Sequence, residues 1–118
     1  MRFSWIAGVA HALIGGVLFF MTLHPLQDAL EPHALDLIKV ASAWQALQGL
    51  VLMIAATATR ARISAMLIAG GTAIAAAMLY YIIFSGNRPP YIVIAPIGGA
   101  LSFAGWIGLL LTKPRTME

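Results

Sequence analysis

The chain has 118 residues, 61% of them hydrophobic and only 9% charged, and its mean hydropathy is +0.91, whereas soluble domains carry about 25% charged residues. A small soluble domain buries only about two-thirds of its surface on folding, so this much apolar area has to be covered by lipid, and a water-soluble globular domain is excluded. Disulfides, thiolate catalysis and cysteine metal sites are excluded by the lack of cysteine, and the formal charge of +3 comes from basic residues scattered between apolar stretches, which form no nucleic-acid patch.

Spanning a hydrocarbon core of about 30 Å takes about 20 helical residues. Four stretches meet that length, at residues 3–23, 38–59, 63–84 and 91–112. The first has His11 as its only ionisable side chain. It is long for a signal-peptide core, and no small-x-small cleavage pattern ends it. Gly8, Ala12 and Gly16 recur every fourth residue and predict a face nearly free of side chains, where another helix can approach.

Residues 24–39 form the only stretch in which charge and proline concentrate, and residues 24–37 are expected to form the non-cytoplasmic loop. Leu26 and Leu30, four apart, predict a short interfacial turn with one apolar stripe. Pro32 suits the first position of a helix, so the second long helix is expected to start there, outside the apolar core. His24, Asp28, Glu31 and His33 have metal-binding chemistry, but the prolines between them deny the regular helix that i, i+4 ligation needs, and no metal is expected.

The second span carries Trp44, Gln45 and Gln48, with Gln45 and Trp44 read as interhelical glue and filler. Arg60 and Arg62 mark a tight connection to the third span, whose alanines at 65, 69, 73 and 77 are spaced by four; Ala69, Ala73 and Ala77 are expected to form a packing face. Ser85 to Pro90 is dense in turn residues and ends that helix. In the fourth span Pro96 removes a helical donor, so the regular helix is expected to begin near it. Gly98, Gly99, Ala104, Gly105 and Gly108 extend a seam inward, against which the first and third spans are expected to close.

Four spans put both termini on one side. Arg2, Arg60, Arg62, Lys113 and Arg115 lie there, against Lys39 and Arg88 opposite, which predicts cytoplasmic N and C termini. Trp5 and Trp106 fall near the cytoplasmic ends and Tyr80, Tyr81 and Tyr91 near the other interface. The expected fold is all-α, a polytopic four-helix transmembrane bundle in one domain, located in a bacterial inner membrane.

Helical rise places His11 about 12 Å inside its span, with Gln48, Thr72 and Ser102 at about 14 to 17 Å on the other three. Four polar side chains are therefore expected to share one layer. Its functional version is a proton or ligand site switched by His11. Its structural version is a neutral histidine bonded to Gln48 or to a backbone carbonyl, which sets helix register. No carboxylate pair, activated nucleophile, phosphate loop or facing haem ligands stand beside it, so neither an enzyme nor a cofactor is expected.

Arg88, then Ala95-Pro96-Ile97-Gly98-Gly99, then Phe103-Ala104-Gly105-Trp106, resembles the C-terminal signature of the small membrane family known as domain of unknown function 423, related to the transmembrane-protein-256-like proteins. Residues from His24 through Leu26, Leu30, Pro32, Leu35 and Gln45 to Leu50 extend the resemblance over nearly the whole length. It implies four transmembrane helices and no particular activity. Gln48 stands where that family usually has a second-helix histidine, Trp44 replaces a tyrosine, and Phe19 to Leu23 replace a glycine-rich approach. The functional expectation is an accessory or stabilising subunit of a larger membrane complex. Its partners are the bilayer and other membrane subunits or further copies of itself, with no nucleic acid. The alternative is a small oligomeric transporter or channel built on the polar layer around His11.

Overall fold

Proline and glycine set the helix boundaries. A computed structural model describes residues 1–117, with helices α1 (Arg2–Met21), α2 (Pro25–Ala29), α3 (Pro32–Ala58), α4 (Arg62–Ser85) and α5 (Ile94–Leu110), followed by a 3-10 turn at Arg115–Met117. Pro25 and Pro32 open α2 and α3, where the missing N–H would have had no intrahelical partner. Gly86 ends α4 in the left-handed region at φ 72°, its N–H donating to the Ile82 carbonyl at 3.0 Å. α5 begins at Ile94, and Pro96 lies in its first turn, where the missing N–H has no intrahelical partner. α3 and α4 are joined by three residues, with the Thr59 hydroxyl donating to the Ala55 carbonyl at 2.7 Å and accepting from the Ala61 N–H at 3.2 Å.

α1, α3, α4 and a last span that runs from the start of α5 to Met117 are each long and apolar enough to cross a membrane. Within their apolar windows 39% of residues are buried in α3 and in α4 but 17% in α1 and in the last span, so α3 and α4 form the centre and α1 and α5 the flanks. The bundle is flattened, with extents of 50 × 31 × 19 Å. Leu52, Ala65 and Ile68 fill its core at the α3–α4 turn, and Leu26 of α2 packs with Ile38 and Ile83 at the opposite end. The apolar stripe expected around Leu26 is thus the underside of α2.

The flanking helices are held by glycine. A β-carbon on Gly15 would lie 2.6 Å from Ala46 N and Ser42 O, and one on Gly8 would lie 2.8 Å from Gly49 O. Between α4 and α5, β-carbons on Gly98 and Gly105 would meet Gly71 O and Ser64 O at 2.7 Å, and one on Gly108 would collide with the Ser64 side chain. Both seams use the same spacing: Gly8, Ala12, Gly15 on α1 and Gly98, Ser102, Gly105 on α5.

That spacing corrects part of the expected packing faces. Two steps of four residues over-rotate a helix by about 80°, whereas seven residues return within about 20° of the starting direction. Gly16 is therefore exposed and Gly15 buried in its place. By the same drift Ala73 and Ala77 face outward while Ala69, Thr72 and Ala76 are buried, and on α5 Ala104 is exposed beside buried Ser102 and Gly105. Pro96 is exposed, and Gly99 has no atom within 4 Å of a built β-carbon. α5 closes against α4; α1 closes against α3 and not against the fourth span.

Candidate functional site

The polar interior begins with His11, half-buried on α1 where α1 meets both central helices. Its Nε2 lies 3.1 Å from the Ala69 carbonyl oxygen on α4. A carbonyl can only accept, so the proton is on Nε2 and Nδ1 carries a lone pair. That lone pair accepts from Nε2 of Gln45 on α3 at 3.0 Å. The amide orientation is thereby set, and Oε1 of Gln45 accepts from the Tyr80 hydroxyl of α4 at 2.6 Å. The result is one directed chain, Tyr80 to Gln45 to His11 to Ala69 O, which leaves α4, crosses α3 and α1, and returns to α4.

Gln48 is fully buried and does not join this chain. Its Oε1 accepts from the indole N–H of Trp106 at 2.9 Å, tying α3 to α5. Thr72 and Ser102, also fully buried, stand 3.2 Å apart between α4 and α5, and Ser102 donates to the Ile68 carbonyl at 3.4 Å. Of the four side chains expected to share a layer, the structure joins Thr72 to Ser102, gives Gln48 to Trp106, and gives His11 to Gln45 and a backbone carbonyl. Axial depth explains the grouping only in part. Gln45 and Gln48 are three residues apart on neighbouring directions of α3, so one turns toward α1 and the other toward α5.

Tyr80 is the member that sequence reasoning left out; Gln45, read there as interhelical glue, joins α3 to both α1 and α4. Gln45 was visible as a second amide one turn from Gln48. Tyr80 was assigned to the membrane interface, and nothing in its sequence context shows that the hydroxyl reaches inward.

Chemically, this arrangement orders donors and acceptors. No buried side-chain nitrogen or oxygen among the described residues lacks a partner, and no cluster of three or more metal-ligating side chains occurs among them.

A family model described as protein of unknown function (DUF423) matches residues 21–99. The chain belongs to the DUF423 family. The DUF423 match runs from the last residue of α1 to the second turn of α5, so it includes Gln45, Gln48, Thr72 and Tyr80 and leaves out His11, Ser102 and Trp106. Arg88 and Ala95 to Gly99 lie inside it, whereas Phe103 to Trp106 lie beyond its end. No curated protein and no solved structure matches this DUF423 chain.

Proposed function

We propose that the protein is a non-catalytic, multi-pass membrane subunit that stabilises a larger membrane complex, inserted in a bacterial inner membrane with both termini cytoplasmic. The observation that carries this reading is the mutual pairing of its interior polar groups. His11, Gln45 and Tyr80 satisfy one another and a backbone carbonyl, as do Gln48 with Trp106 and Thr72 with Ser102. Intramembrane hydrogen bonds of this kind hold helices in register. The same pairing weighs against a transport layer around His11, because both ring nitrogens are occupied in fixing helix positions. The orientation is supported by Arg2, Arg60, Arg62, Lys113 and Arg115 at one end of the spans.

Extraction from the native membrane in mild detergent, with identification of every co-purifying chain, tests the function. A stoichiometric membrane partner is expected, and recovery of the isolated monomer alone would overturn the proposal. Orientation is tested separately on the naturally cysteine-free chain. An impermeant maleimide applied to intact inner-membrane vesicles of known sidedness should label Asn87→Cys and Thr116→Cys from opposite faces, Thr116→Cys from the cytoplasmic one.

A further inference from the structure

We propose that the α1–α4 face binds one anionic phospholipid of the cytoplasmic leaflet, with its phosphate held between Arg2 and Arg62 and an acyl chain laid in the groove beneath. This rests on the membrane reading and orientation given above. Arg2 and Arg62 border a cavity of about 220 Å³ at the first turns of α1 and α4, floored by Phe3 and Met66. Neither guanidinium has a side-chain partner among the described residues. Asp28, Glu31 and Asp36 all lie at the other end of the bundle, so no described carboxylate competes for the two cations.

Phe3 and Met66 also line a second cavity, of about 340 Å³, which continues from the first along the α1–α4 groove past Ala7 and Gly70 to His11 and Ala73. Small residues make this groove. Gly70 has no atom within 4 Å of a built β-carbon, and Ala73 is exposed. Two guanidinium groups with no carboxylate partner among the described residues, on a cavity that shares its Phe3 and Met66 walls with an apolar groove, match the two halves of a phospholipid, since basic pockets between spans on the cytoplasmic side are built to take anionic head groups. The pocket at the opposite end differs: Arg88 and His33 share it with Glu31.

Native mass spectrometry of the purified full-length protein, given equal phosphatidylglycerol and phosphatidylcholine of matched acyl chains, tests the assignment. One retained phosphatidylglycerol per chain is expected, in clear excess over phosphatidylcholine. Retention should fall about fivefold for Arg2→Gln or Arg62→Gln and on the order of 30-fold for the pair, with Arg88→Gln unchanged. Gly70→Leu, whose β-carbon meets nothing within 4 Å, places its side chain in the groove and should also release the lipid. Equal retention of both lipids, wild-type retention by the double variant, or an adduct displaced by inorganic phosphate and indifferent to Gly70→Leu would each overturn the proposal. The measurement uses the isolated chain, so it stands or falls independently of whether a partner subunit is found, and thiol labelling reports separately on which leaflet the site faces.

Discussion

Gly49→Ala and Gly16→Ala are the same chemical change on neighbouring helices, and the structure gives them opposite signs. At Gly49 the added β-carbon would lie 2.6 Å from Gly8 O and 2.9 Å from Ala12 Cα, and closer still to Ala12 N, whereas ordinary contact begins near 3.4 Å. All three atoms are backbone, so no side chain can turn aside, and α1 must move from α3 by roughly 1 Å to restore normal contact. Overpacking of this kind costs about 1–3 kcal/mol. The same displacement stretches the 3.0 Å bond between His11 and Gln45 beyond hydrogen-bonding range, which adds about 0.6 kcal/mol. Against this stands a helix-propensity gain of at most about 1 kcal/mol for alanine over glycine. The net expectation is a loss of about 2 kcal/mol. At Gly16 a β-carbon meets nothing within 4 Å, so only the propensity gain remains and stability should hold or rise by up to about 1 kcal/mol. Unfolding by titrating mild-detergent micelles with sodium dodecyl sulfate, followed by circular dichroism, measures both. If Gly49→Ala proved as stable as Gly16→Ala, the close α1–α3 seam would be wrong.

Gln45→Leu removes two interhelical bonds and Tyr80→Phe one of them, so losses of about 1–2 and about 0.6 kcal/mol are expected in the same titration. A double-mutant cycle between them should give a coupling near the smaller value, and strict additivity would count against the Tyr80–Gln45 contact. Trp106→Phe leaves the buried Gln48 oxygen without its donor and should cost about 1–3 kcal/mol, most of it recovered when Gln48→Leu is added; a neutral Trp106→Phe would remove the α3–α5 tie. Gly86→Ala places a β-carbon on a residue at φ 72° and should lower stability by about 1–2 kcal/mol, with Gly86→Asn costing less; equal melting of the two variants would contradict a left-handed cap.

Position along each helix was legible in the sequence, and direction around it was not. Apolar length located the four long helices, Pro32 marked the start of α3, and Leu26 marked the buried side of α2, because these signals depend on chain length and local backbone chemistry. The small-residue seams depend on rotational phase, which counting by fours gets wrong by one residue at Gly16 and at Ala73. Depth alone likewise paired His11 with Gln48, when the side chain three residues earlier points the right way. Tyr80 escaped notice because an interfacial tyrosine and one that snorkels inward look alike in a sequence.

For a bundle inserted in a membrane, as proposed above, the pairing of helices has a consequence for how it is put together. Its largest interfaces join α1 to α3, α4 to α5 and α3 to α4. Each involves neighbouring long helices, so each can form as soon as the later helix leaves the ribosome. Two ties are exceptions: the Trp106–Gln48 bond between α3 and α5, and the contact between α1 and α4, which includes the bond from His11 to the Ala69 carbonyl. Until α4 inserts, the α1–α3 hairpin carries an N–H at its outer face that lipid cannot satisfy. That unsatisfied donor gives the half-made protein an energetic reason to wait for its own third span.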